Sequence, residues 1–111
     1  MRSLLQALQA QPTEFEVHSD CYQYLKQHYP IVRGEVKLQF DRVEKYTRRP
    51  RGARFDLVVC NEQALPLFIV EVKRKERETN ASKTAHYETI SGVKCYTVGS
   101  LAQCEVLIKS L

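Results

Sequence analysis

Three residues in the middle of the chain have types and spacing suited to hydrolytic chemistry: Asp56, Glu71 and Lys73. Asp56 lies within the apolar stretch RFDLVVC, and the other two lie within FIVEVK. Side chains at positions i and i+2 of a strand project from one face, so Glu71 and Lys73 are predicted to lie side by side, next to Ile69. A carboxylate and an ammonium therefore interrupt a run that otherwise has the composition of a buried strand.

The polar link NEQ between the two apolar stretches is short enough for an antiparallel hairpin. If the turn is symmetric about Gln63 and Ala64, Asp56 lies opposite Glu71. Cross-strand neighbours are roughly 5 Å apart, so the two carboxylates would repel each other without a counter-charge. A divalent cation with oxygen ligands supplies that charge, and Lys73 beside it can stabilise negative charge on a phosphate. The pattern thus predicts cleavage of phosphodiester bonds.

The alternative for these three residues is an ion-pair ladder on the solvated face of an edge hairpin. Against it, the strands around them are apolar on both faces, as is typical of central strands covered by helices. An unpartnered carboxylate in such a strand carries a large desolvation cost. The cation site is therefore the preferred interpretation.

The arrangement resembles the PD-(D/E)XK nuclease superfamily, whose signature reads here as Asp56 followed by Glu71, Val72 and Lys73. Phe55 stands where the written pattern has proline. Within the superfamily, the segments TEFEV, RFDLVV and PLFIVEVKRK look most similar to the nuclease domains of type I restriction subunits and their small stand-alone relatives. Many members place a glutamine on the helix after the lysine strand, where this chain has other polar residues.

The resemblance covers the chain from about Thr13 to Val98 and implies a DNA nuclease that depends on Mg²⁺ or Mn²⁺. In that role Asp56 and Glu71 would hold the ion together with the carbonyl oxygen of Val72. The lysine of the signature would stabilise the charged transition state.

An acidic residue on the first predicted helix is a further candidate for the site. TEFE has the form of a capping box, with Thr13 as the cap and Glu16 reaching back to its amide. Glu14 falls on the apolar stripe of this helix, one turn before Val17, and the resemblance gives it a catalytic and metal-binding role. The helix macrodipole offers Glu14 the alternative role of a stabilising N-terminal acid. Glu35, on the first strand, is another candidate.

The net charge of +4 makes a polyanionic partner reasonable, and the distribution of charge is more informative than the total. Basic residues crowd into one stretch before the Asp56 strand, and Arg and Lys contacts to phosphates supply affinity that does not depend on base sequence. We expect this stretch to contact DNA beside the site. The residues assigned to nucleic-acid binding are Arg48, Arg49, Arg51 and Arg54.

The elements predict one α/β domain over residues 1–111, with a mixed four-stranded sheet flanked by helices in the order α-β-β-β-α-β-α. The resemblance implies that this is a restriction-endonuclease-like core. A helix runs from the Thr13 cap to about Tyr29, after a short helix over residues 3–10. A mobile loop is expected around Pro50 and Gly52. The later segments are the strands RGEVKLQF, RFDLVVC, LPLFIVEVKRK and VKCYTVG and the helices TNASKTAHYETISG and SLAQCEVLIKSL, the last beginning with a capping box of Ser100 and Gln103.

The four cysteines show no metal-binding spacing and are interpreted as reduced core thiols of a cytoplasmic protein. No apolar segment is long enough to span a bilayer, and no secretory core is expected. A chain of this length has little surface for sequence recognition, so a homodimer or a partner subunit is plausible. Two functions other than cleavage stay open: a non-catalytic nucleic-acid-binding module and a protein-interaction subunit.

Overall fold

The computed structural model describes residues 13–43, 50–73 and 81–111 and the isolated positions 4 and 6; residues 38–43, 50–53 and 81–83 are described by their backbone. The predicted α/β class and order of elements are confirmed. The helix predicted over residues 3–10 lies, apart from positions 4 and 6, outside the described residues. The elements are α1 (Glu14–His28), β1 (Ile31–Val43), β2 (Pro50–Cys60), β3 (Pro66–Val72), α2 (Ala81–Ser91), β4 (Lys94–Val98) and α3 (Leu101–Ser110).

The four strands form one mixed sheet in the order β1-β2-β3-β4. The first three strands are antiparallel neighbours, and β4 joins parallel to β3 because α2 carries the chain back across the sheet. In the central hairpin Leu57 faces Val70 and Val59 faces Phe68, which is the register predicted from a symmetric turn. The predicted mixed sheet is therefore confirmed.

The turn between β2 and β3 is fixed by the side chain of Asn61. Its Oδ1 accepts hydrogen bonds from the backbone amides of Gln63 at 2.9 Å and Leu65 at 3.0 Å. Ala64 takes a left-handed conformation with φ of 63°, which closes the turn within the polar link. Cys60 faces Pro66 next to the turn, and a register shift of one residue between Val59 and Cys60 then brings Asp56 level with Glu71.

The sheet is covered on both faces. On one face α1 packs through Val17, Cys21 and Leu25, all buried, in a core that also includes Cys104 of α3. His28, in the last turn of α1, is exposed, and its Nδ1 bonds the Tyr24 carbonyl within the helix. A smaller core lies under α2 and consists of Phe55, Ile69, Tyr87 and Cys95.

The cysteines are free and buried, as predicted for core thiols. The thiols of Cys21 and Cys104 meet between α1 and α3, and their hydrogen bond, together with burial, raises the pKa of Cys21.

In the described part of the chain, no helix has both the length and the apolar character to cross a membrane.

The loop predicted around Pro50 and Gly52 is wrong. β2 already begins at Pro50, which pairs with Val43, and Gly52 pairs with Gln39. Proline is tolerated at the first residue of a strand, and the register shift between Gln39 and Val43 absorbs the local irregularity. Residues 36–43 and 50–55 therefore form a two-stranded extension of the sheet, here called the hairpin arm.

Candidate active site

The candidate site lies where β2 and β3 separate. Regular pairing of the two strands begins at Leu57 and Val70, and the preceding residue, Asp56, lies level with Glu71. Beyond this pairing, the Asp56 amide donates to Glu71 Oε1 at 3.0 Å and the Val72 amide donates to Asp56 Oδ2 at 2.8 Å. Each carboxylate is thus oriented by a backbone N–H of the opposite strand.

The two carboxylates differ in exposure. Glu71 is 5% exposed, and among the described residues it is the one charged side chain that is buried. Asp56 is half-buried. An ionised carboxylate has about four acceptor positions on its two oxygens, so one amide bond orients it without using its full capacity. Two acidic groups in partial burial favour a nearby positive charge.

Lys73 directly follows β3 and continues its pairing, since its amide donates to the Val98 carbonyl at 2.8 Å. It is half-buried and follows Glu71 by two residues, so both side chains start from the same face of the sheet. Gly99 lies against this backbone: a Cβ at that position would be 2.9 Å from the Lys73 carbonyl oxygen. The lysine main chain is therefore held from the β4 side.

Helix α2 borders the site through Tyr87. Its ring packs edge-on against Phe55, with centroids 5.0 Å apart. Burial raises the pKa of the Tyr87 phenol, the charge of Glu71 acts in the same direction, and the charge of Lys73 opposes it. The phenol therefore lies within electrostatic range of the predicted site residues, whereas His86 on the same helix is exposed.

The structure does not gather Glu14 with the carboxylate pair. Within the ranges described, no group of three or more His, Cys, Asp or Glu side chains is arranged to hold a metal ion. Glu14 and Glu35 are exposed. The Thr13 hydroxyl accepts from the Glu16 amide at 3.2 Å, which confirms the predicted start of α1. The metal-binding role of Glu14 stays a prediction.

Two residues near the site were not predicted from the sequence. His18 of α1 donates from Nε2 to the Asp56 carbonyl oxygen at 3.1 Å. Its position directly after the buried Val17 is a weak signal, because a histidine beside an apolar stripe is common.

Gly99 precedes the Ser100 cap of α3, and Gln103 bonds the Gly99 amide at 2.6 Å instead of reaching back to the cap amide. The predicted second half of that capping box is therefore wrong.

Two of the four predicted nucleic-acid residues, Arg51 and Arg54, lie on the hairpin arm. Arg54 is exposed and lies directly opposite Lys37, also exposed. Arg51 lies in the β2 part of the arm, where the backbone alone is described. Arg48 and Arg49 lie outside the described residues.

Comparisons with known proteins find no matching family model, no matching curated protein and no matching solved structure. Function is therefore inferred from the geometry of the site.

Proposed function

We propose that this chain is a nuclease that depends on Mg²⁺ or Mn²⁺ and hydrolyses phosphodiester bonds in DNA on a restriction-endonuclease-like core. The observation that carries the proposal is the pairing of Asp56 with Glu71 where β2 and β3 separate. Lys73 follows two residues later from the same face. A buried and a half-buried carboxylate side by side are costly for stability alone, which supports a catalytic role.

The donor set fits a hard divalent cation. Mg²⁺ in proteins is commonly held by one or two carboxylates and keeps several of its waters. Asp56 and Glu71 would supply the carboxylates, with the Val72 carbonyl as a third oxygen. When bound, the ion would lower the pKa of water and neutralise charge on the phosphate. Each of these amide bonds occupies one of about four acceptor positions of its carboxylate and orients it.

In the proposed reaction a water oxygen bonds to phosphorus as the bond from phosphorus to the leaving nucleoside oxygen breaks. The water loses a proton and the leaving oxygen gains one. Negative charge builds up on the phosphate oxygens in the transition state, and the Lys73 ammonium would stabilise it there more strongly than in the ground state. The hydrogen bond of Lys73 to Val98 limits the movement of the main chain that carries this ammonium.

The hairpin arm supports DNA as the substrate. Lys37 and Arg54 are like charges placed directly across two strands, an unfavourable arrangement in the free protein. A phosphate backbone near the arm would relieve this repulsion and release counterions. Arg54 is also two residues from Asp56, so bound phosphates would lie near the carboxylate pair.

The hairpin arm could bind nucleic acid through its basic residues without any cleavage of the bound strand. The second candidate function is therefore a nucleic-acid-binding module without catalysis. Purified protein incubated with double- and single-stranded DNA and Mg²⁺ or Mn²⁺ separates the two. Cleavage that a chelator stops and that Lys73→Met loses supports the nuclease. Salt-sensitive binding without cleavage by the wild-type protein supports the binding module. Lys94→Met, which alters an exposed lysine at the far end of β4, is the matched control.

A further inference from the structure

We propose that His18 is a positioning residue that holds the Asp56 carboxylate in place through the Asp56 carbonyl. The inference rests on the proposed function, since it assigns helix α1 a part in building that site. It differs from the prediction made for this helix, which named Glu14, one turn earlier. The contact that carries it is the 3.1 Å bond from His18 Nε2 to the Asp56 oxygen.

Both backbone groups of Asp56 contact side chains of other elements. In a regular antiparallel sheet, the N–H and C=O of a residue bond the same residue of the neighbouring strand. At Asp56 each group also contacts a side chain: the N–H donates to Glu71 and the C=O accepts from His18. The two peptide groups that flank the Asp56 Cα are therefore each held by a side chain from a different element.

The side chain of Asp56 completes the arrangement, because its Oδ2 accepts from the Val72 amide at 2.8 Å. Asp56 is thus bonded to β3 through two groups and to α1 through a third. Rotation of its peptide would move the carboxylate relative to Val72 and Glu71. His18 is the contact that opposes such rotation from the helix side.

The chemistry of the contact defines which replacement can substitute for histidine. A carbonyl oxygen has no hydrogen to donate, so Nε2 must carry the proton. Glutamine also places an N–H at the end of a side chain of similar reach, asparagine is too short, and phenylalanine has no donor. Helix α1 is anchored independently by Val17, Cys21 and Leu25, so these changes leave the rest of its packing in place.

The experiment compares His18→Phe, His18→Asn and His18→Gln with wild type. The control is His28→Phe, which removes an exposed histidine of α1 whose bond stays within the helix. Amide hydrogen exchange of Asp56 and Val72 is measured by NMR without cation. The Mn²⁺ concentration that gives half-maximal thermal stabilisation, and kcat and KM for DNA cleavage, are measured on the same proteins.

We expect His18→Phe and His18→Asn to speed exchange at Asp56 and Val72 by about tenfold, the effect of losing one hydrogen bond. The Mn²⁺ concentration for half-maximal thermal stabilisation should rise about tenfold and kcat should fall about tenfold. KM should change little. His18→Gln should restore most of each value, and His28→Phe should match wild type. His18→Asn tests the inference if His18→Phe does not fold.

The inference is overturned if exchange at both amides stays at the wild-type rate in the variants that lack a donor. It is also overturned if exchange rises while kcat and the Mn²⁺ response stay unchanged, since the contact would then be structural alone. A wild-type protein that neither responds to cations nor cleaves DNA refutes the proposed function and, with it, the catalytic meaning of the contact. The exchange rates would then report only on the hydrogen bond.

Discussion

Two adjacent parts of the same hairpin are built in opposite ways. From Leu57 to Val59, β2 pairs with β3 by regular backbone bonds and places buried apolar side chains in the core. One residue earlier, at Asp56, the backbone bonds side chains and the side chain bonds backbone. The first part stabilises the fold by burial, and the second uses that stability to hold charged groups together.

The difference shows why charged residues can be placed inside an apolar strand. The regular part fixes the register, so the polar part needs few contacts of its own to bring Asp56 and Glu71 together. Changes in the regular part should therefore lower stability, and changes in the polar part should lower activity.

The largest expected effect is on the polar part. Lys73→Met keeps the aliphatic bulk and removes the charge, so cleavage at saturating DNA should fall by about 10²–10³-fold, as for other groups that stabilise transition-state charge. DNA binding, measured in the presence of a chelator, should change little. Cleavage by this variant at the wild-type rate would contradict the catalytic assignment of Glu71 and Lys73 and favour the ion-pair ladder as the account of this strand.

The second effect tests the regular part. Leu57 is fully buried, and Leu57→Ala should reduce the free energy of unfolding by about 3 kcal/mol, measured by urea denaturation. Asp56→Asn should change it by less than about 1 kcal/mol, because the amide oxygen can still accept from Val72. Similar losses from both changes would mean that Asp56 is mainly structural.

The regular part was predictable from the sequence, and the polar part was predictable only in its residue types. The short polar link and the apolar pattern around Val58 predicted the pairing of Leu57 to Val59, but not the register shift between Val59 and Cys60. The extension of β2 to Pro50 was not predicted, because proline and glycine nearby are local turn signals and the pairing that overrides them comes from β1. The His18 contact joins residues far apart in the chain, and it depends on how α1 packs on the sheet.

An intermediate effect is expected at Gly99, where the main chain of Lys73 passes closely. A Cβ 2.9 Å from the Lys73 oxygen forces one of the two segments to move, so Gly99→Ala should lower kcat by about tenfold, as expected when a catalytic group is slightly misplaced. Gly92→Ala is the control: its φ of 77° makes alanine strained, but no atom lies within 4 Å of the added carbon. It should lower stability and leave kcat unchanged.

The smallest effect concerns the helix. Glu14→Gln should lower the cleavage rate by less than Lys73→Met does, because Glu14 is exposed and is not gathered with the carboxylate pair. Thr13→Ala, which removes the cap of α1, should cost about 1 kcal/mol of stability with the rate intact. If Glu14→Gln cleaves at the wild-type rate, Glu14 is not part of the site.

The most direct test of the central claim is the melting temperature with and without Mg²⁺ or Mn²⁺ for wild type, Asp56→Asn and Glu62→Gln, the last altering an exposed acid in the β2–β3 turn. A cation that binds the folded state at ten times its dissociation constant stabilises it by about 1.4 kcal/mol. In a chain of this size that raises the melting temperature by roughly 5 °C. The carboxylate site predicts this rise in wild type and Glu62→Gln and its loss in Asp56→Asn. An equal response of all three proteins would contradict it.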